Sequence, residues 1–243
     1  LLMLLLFFSY TNSAKLRIDH EKVAYCITDL EHNIKYSMNE KDEFIAASIY
    51  KLPLAMLYYD KVNEGEYTLD STFTYSGYMH EDAGVISSDY GIGSQVPLSD
   101  LLNDLIIYSD NDAGHILYEN LGGWKEYKEA MTKYTDTISE NYYTMDNVTT
   151  ANTMNDVVTY LYDHKEDYKG LIKNMEEAEP GEYLDRDTQL SMPQKYGMYD
   201  SALNSVGFVE CNTSYSIVVL TSLGDKGADV MANINRIAYE HFK

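Results

Sequence analysis

Along this 243-residue chain, strand-like apolar runs mark the two ends and helical spacing marks the middle. Residues 23–28 form an apolar run, 29–33 a polar turn, and 34–38 alternate apolar with polar, which predicts a hairpin. From Ser48 the period changes. Leu52, Ala55, Met56 and Tyr59 fall at i, i+3, i+4 and i+7, which predicts a helix over 48–64. Leu54, Leu57 and Tyr58 occupy its other side, so this helix should be buried all round. Pro53 falls early, where it costs one backbone bond, and Gly65 supplies the stop. Residues 67–96, rich in Ser, Gly, Asp and Tyr, read as loops. Ser99 is placed to cap a helix that bears Leu101, Leu102, Leu105 and Ile106 and ends near Tyr108. Further helices are predicted over 112–120 (stopped by Gly122-Gly123), over 124–133, and from a Thr150 cap through Tyr162. Strands return at 206–211 and 215–221, split by Asn212-Thr213-Ser214, and 228–242 closes as a helix.

Strands at both ends with helices between them predict an α+β fold. One antiparallel sheet would be built from both chain ends, with an inserted helical lobe. No repeat or linker interrupts 23–243, which reads as a single two-lobed domain. Residues 1–22 stand apart. Leu1 to Phe8 are all apolar, too few to span a bilayer, and Ser13-Ala14 is a small-residue cleavage cue. The segment reads as a signal or membrane-anchor remnant, with a first helix packed on the core as the other reading. The first predicts an extracytoplasmic protein, secreted or membrane-anchored.

Charge narrows the partners. Lys+Arg is 18 against Asp+Glu 39, a formal charge of −21, which repels nucleic acid and anionic lipid. With 45% hydrophobic residues and 24 Tyr, the chain is no disordered acidic tail. The two cysteines, Cys26 and Cys211, lie far apart in apolar runs, so one bridge and two buried thiols both fit. The six histidines form no HExxH, and Asp110, Asp112 and His115 have a simpler reading below, so no metal or other cofactor is expected. Asn147-Val148-Thr149 and Asn212-Thr213-Ser214 match the short glycosylation sequon.

Three short patterns carry chemistry. Ser48-Ile49-Tyr50-Lys51 is SxxK, which on a helix puts an amine beside a hydroxyl. A serine is a weak nucleophile until a base takes its proton, and a lysine serves only if its proton affinity is lowered. Alone, the pattern also fits a capping serine and a snorkelling lysine. Ser109-Asp110-Asn111 sits between two predicted helices, where a hydroxyl can relay a proton and an amide can hold a carbonyl; a capping turn has the same composition. Lys195-Tyr196-Gly197 precedes the last strands, offering a charge and a close backbone approach, or an edge-strand gatekeeper.

In this order the three resemble the SxxK, SDN and KTG signature of class A β-lactamases and penicillin-interacting serine hydrolases. Ala46-Ala47-Ser48-Ile49-Tyr50-Lys51-Leu52-Pro53-Leu54 is similar to that family's nucleophile helix, residues 101–123 to its central block, and Thr149-Thr150-Ala151 to the helix start after its omega loop. The resemblance implies a β-lactam or peptidoglycan-type peptide substrate and an acyl-enzyme on Ser48. It implies Lys51 as general base, Ser109 as proton relay, and Asn111 holding Lys51 and the substrate amide. Lys195 would attract the substrate carboxylate and support Ser109, with Tyr196 and Gly197 beside the substrate. The N–H groups of Ser48 and Met198 would form the oxyanion hole. A penicillin-binding DD-peptidase-like enzyme and a non-catalytic sensor on the same fold are the alternatives. Two features depart from the pattern: Tyr196 stands where Thr or Ser is usual, and no ExxLN glutamate occurs between Trp124 and Thr150. Glu140 is the nearest carboxylate, in surroundings that do not match, so release of the acyl group is expected to be slow.

Overall fold

The computed structural model describes residues 22–77, 84–188 and 190–243. The predicted apolar segment over 1–22 lies, but for Lys22, outside the described residues. Among the described residues no helix is long and apolar enough to cross a membrane.

A five-stranded antiparallel sheet runs in the order β2-β1-β9-β8-β7. Strands β1 (Val23–Asp29) and β2 (Ile34–Met38) come from one end of the chain, and β7 (Gln194–Tyr199), β8 (Ala202–Val209) and β9 (Tyr215–Thr221) from the other. The central strands are buried throughout and mostly apolar because both faces are covered. Cys26, Val206, Phe208, Val218 and Leu220 face the helical lobe. Tyr25, Ile27, Tyr215, Ile217 and Val219 pack beneath the C-terminal helix, Lys226–Phe242, against Val230, Met231, Ile234 and Phe242.

Between the two groups of strands lie short β3 (Phe44–Ile45) and a 3-10 turn, Ala47–Tyr50. Helix α1 (Lys51–Asn63) follows, then β4 (Thr72–Thr74), α2 (Val85–Asp89), β5 (Gln95–Pro97), α3 (Leu98–Ile107), α4 (Asn111–Asn120) and α5 (Trp124–Met131). A second 3-10 turn (Thr132–Tyr134), β6 (Val148–Thr149), α6 (Ala151–Asp163) and α7 (Lys169–Glu177) complete the insert, and Lys226–Phe242 is α8. Lys51 through Tyr58 are all buried, as the two-sided apolar pattern of α1 required. Pro53 lies in its first turn, where no backbone donor is lost.

Three local readings change. Residues 67–96 hold β4, α2 and the start of β5 rather than loops alone. Helix α3 begins at Leu98 behind Pro97, so Ser99 lies inside it and does not cap it. Helix α7 is an element the apolar spacing did not mark. Thr150 does cap α6, its Oγ1 accepting from the Thr153 N–H at 3.1 Å. The sheet is pinned to α6 by a buried polar cluster: Asn155 donates to Thr28 Oγ1 (3.0 Å) and Ser216 donates to Asn155 Oδ1 (2.9 Å). Both cysteines are free thiols, which settles the open question against a bridge.

Candidate active site

The chain enters the site through a backbone that few residues tolerate. Ala47 adopts φ 50°, a left-handed conformation disfavoured for a residue with a Cβ. Its neighbours hold it there. Asn147 donates to the Ala47 carbonyl (2.9 Å) and its own carbonyl accepts from Ala46 N–H (2.8 Å). Asn204, fully buried in β8, donates to the carbonyls of Ile45 (2.8 Å) and Ala46 (3.1 Å) and accepts from Thr221 N–H (3.0 Å). The 3-10 turn that follows eclipses residues i and i+3, which brings Ser48 and Lys51 side by side at the mouth of α1.

Lys51 is fully buried. Its Nζ donates to the Ser109 carbonyl (2.5 Å) and to Asn111 Oδ1 (2.6 Å), and it lies 3.1 Å from Ser48 Oγ and 3.3 Å from Ser109 Oγ. Two of these partners are pure acceptors; the other two are hydroxyls that can also donate. Ser109 reaches this point through a left-handed backbone, φ 57°. Asp110, next in line, has a scaffolding task. Its carboxylate caps α4 through Ala113 N–H (2.9 Å) and accepts from Ile86 N–H (3.2 Å). Thus the capping reading of Ser-Asp-Asn holds at Asp110, while Ser109 and Asn111 are turned to Lys51.

Strand β7 forms the opposite wall. Gly197 lies so close to the turn that a Cβ there would meet Ser48 N at 2.6 Å and Ile49 N at 2.8 Å. Lys195 is fully buried, and burial first, with the nearby Lys51 charge second, pushes its proton affinity well below the usual lysine range. Its Nζ donates to the Tyr196 carbonyl at 2.9 Å and lies 4.1 Å from the centre of the Tyr196 ring. The Tyr196 side chain stacks on Tyr183, with ring centres 5.0 Å apart and planes 22° from parallel.

Between these walls a cleft of about 550 Å³ is lined by Ser48, Asn111, Met198, Asp146 and an aromatic group of Tyr50, Tyr118 and Trp124. Trp124 meets Tyr50 and Tyr118 edge-on at 5.1 and 5.5 Å. The segment 135–147 closes one side. Lys128, almost wholly buried, donates to the carbonyls of Tyr142 (2.5 Å), Thr144 (2.8 Å) and Asp146 (2.6 Å). Its Nζ also sits over the rings of Trp124 and Tyr142. Glu43 holds the same segment from outside, accepting from the backbone and side chain of Asn141. Glu140 is exposed and does not line the cleft. No His/Cys/Asp/Glu group able to hold a metal occurs among the described residues.

Sequence reasoning thus named the residues that meet at Lys51 but missed those that hold them. Asn204 was detectable as a polar residue in an apolar strand. Asn147 was read only as a sequon, yet its amide is engaged with Ala47. Lys128 gave no signal, because its partners are backbone carbonyls.

Comparisons with known proteins bear on the family and the fold. The sequence profile of the β-lactamase enzyme family matches residues 13–242. No curated protein matches. Among solved structures, a β-lactamase from Chitinophaga pinensis DSM 2588 is 22% identical, with 91% of this chain and 94% of that chain covered and a TM-score of 0.77. An acyl-enzyme complex of a PBP-A point mutant with penicillin G is 17% identical, with 99% and 96% covered and a TM-score of 0.82. An ancestral class A β-lactamase is 19% identical, with 100% of both chains covered and a TM-score of 0.82. These likenesses establish a shared fold, and the profile match over nearly the whole length establishes descent: the chain belongs to the β-lactamase enzyme family and is a β-lactamase-like serine hydrolase.

Proposed function

We propose that Ser48 is acylated by β-lactams and related peptide amides, with Lys51 as the base, and that the acyl-enzyme is released slowly. The observation that carries this reading is the set of contacts at Lys51 Nζ. A neutral amine has two N–H groups and one lone pair. The Ser109 carbonyl and Asn111 Oδ1 take the two N–H groups, which leaves the lone pair for the Ser48 hydroxyl 3.1 Å away. Ser48 Oγ then attacks the amide carbonyl as its proton passes to Lys51. Ser109 Oγ, 3.3 Å from the same nitrogen, gives its proton to the leaving nitrogen as the C–N bond breaks and takes the proton held by Lys51 in its place, which restores the neutral amine. The N–H groups of Ser48 and Met198 are the oxyanion donors in this scheme, and Asn111 also orients the substrate amide. The acyl-enzyme of the PBP-A mutant with penicillin G supports the substrate class.

Hydrolysis of the resulting ester requires an activated water. Glu140 stands outside the cleft, and Asp146, the carboxylate on its wall, is exposed to solvent, so among the described residues no buried carboxylate lines the cleft. The apolar run over 1–8 supports an extracytoplasmic location. Intact mass after incubation with penicillin G tests the reading, with Ser48→Ala as control. A persistent adduct equal to the drug's mass, absent from the variant, is the expected result. Rapid loss of drug without an adduct would overturn slow release, and intact drug with unmodified protein would overturn the nucleophile.

A further inference from the structure

In an enzyme of this proposed activity, the end of the cleft beside Ser109 and β7 would meet whatever group the substrate carries next to its scissile nitrogen. Three lysines surround the site, and none presents its charge there. Lys51 is committed to Ser109, Asn111 and Ser48. Lys128 is committed to three carbonyls. Lys195 is fully buried, bonded to a carbonyl of its own strand and roofed by the Tyr196 ring. No lysine or arginine lines the cleft among the described residues, whereas Asp146 does.

The roof is built in. Tyr183 stacks on Tyr196, and the segment bearing Tyr183 is tied to β7 through Gln194. Gln194 accepts from Leu184 N–H (3.1 Å) and donates to Asp185 Oδ1 (2.9 Å). The same segment brings negative charge. Glu179 is near enough to act on Lys195, Tyr183 and Tyr196 alike, and Glu182 acts on Tyr183.

We infer that Tyr196 is a specificity-determining residue: with Tyr183 and Glu179 it shields Lys195, so this site prefers substrates whose group beside the scissile nitrogen is neutral or cationic over those bearing a carboxylate. This inference rests on Ser48 being the acylated nucleophile. An incoming carboxylate finds no exposed cation, meets the field of Glu179, and sheds its hydration into a tyrosine-lined surface. A neutral ester or amide meets none of these costs. A cationic group gains from the acidic surroundings.

The test is the acylation rate of the wild-type protein, read by intact mass, with penicillin G, its methyl ester, and an amide of its carboxyl bearing a primary amine. Each rate is divided by that compound's rate of alkaline hydrolysis, to remove differences in ring reactivity. The ester and the cationic amide are expected to acylate Ser48 about fivefold or more faster than the free acid, with a wider gap at low salt. Tyr196→Thr should close the gap by exposing Lys195. Glu179→Gln, a surface change that spares the fold, should narrow it. A free acid that reacts as fast as the ester in the wild type overturns the inference while leaving the nucleophile intact. The absence of an adduct from all three compounds, with each compound left intact, overturns the Ser48 reading and this inference with it.

Discussion

Substitution of Gly197 by alanine probes how tightly β7 is set against the nucleophile. Gly197 lies in the body of a strand, so the constraint is space rather than backbone freedom. An added Cβ would stand 2.6 Å from Ser48 N, 2.8 Å from Ile49 N and 3.0 Å from the Ala46 carbonyl. All three are backbone atoms, which no rotamer change can move. Ordinary contact begins at 3.4 Å, so strand and turn must part by about 0.8 Å. The turn resists, because Asn204 and Asn147 hold it from both sides. Overpacking of this kind costs about 1–3 kcal/mol, which for a chain of this size lowers Tm by roughly 3–10 °C. The larger effect is on chemistry. The atom displaced, Ser48 N, belongs to the nucleophile and to its oxyanion donor, and a misplacement near 1 Å costs on the order of 100-fold. Acylation by penicillin G methyl ester, followed through the fluorescence of Trp124, the one tryptophan and a wall of the cleft, should slow by about 10- to 100-fold. An acylation rate within about threefold of wild type, with Tm unchanged, would refute the reasoning.

Other consequences follow from the buried charges. Lys128→Met should remove the donor to three carbonyls and cost about 2–4 kcal/mol; limited proteolysis should cut within 135–147, and a cleavage pattern identical to wild type would contradict this. Asp104 is buried beside Asp110, Asp100 and Asp89, and desolvation first, then their charges, push its carboxyl up to about 6. The folded protein therefore holds this proton where the unfolded chain has released it, so the group's stabilising contribution is complete below about pH 4 and is lost as the pH rises through about 6. Asp104→Asn should accordingly raise Tm at pH 8, by about 1–3 kcal/mol of stability, and change little at pH 4; thermal unfolding at both values decides it. Lys51→Gln keeps a donor for Asn111 but offers no basic lone pair, and acylation should fall by about 100- to 10,000-fold with Tm nearly kept. A normal acylation rate in that variant would assign the base elsewhere.

The parts of the fold legible in the sequence are those where one local rule suffices. Strands β1 and β9 read clearly because both faces are covered, so apolar residues run along them with few polar interruptions. Helix α1 read clearly for the same reason. Helix α3 was misplaced by two residues at its start because Ser99 is a good cap in isolation, while Pro97 is what turns the chain. The site shows the same division. Ser48, Lys51, Ser109 and Asn111 were picked out by the resemblance of their short patterns to a family signature, and such patterns are legible because a 3-10 turn and a helix-to-helix connection are local objects. The contacts that fix Ala47 span 100 to 159 positions in sequence, and no pattern along the chain records them.

Lysine shows where composition misleads. In a chain of charge −21, cations near an active site suggest a lure for anionic substrates. Yet Lys51, Lys128 and Lys195 are at most 2% exposed. Removing an ammonium from water costs several kcal/mol unless close partners replace the solvent. Here those partners are five backbone carbonyls, one side-chain amide and four aromatic rings. A lysine so engaged presents no exposed ammonium to an approaching ligand; it holds a loop or adjusts a neighbour's proton. What an approaching molecule meets is the remaining surface, which is acidic and rich in tyrosine. The net charge is therefore the better guide to what enters the cleft, and the three buried lysines to what happens once a substrate is inside.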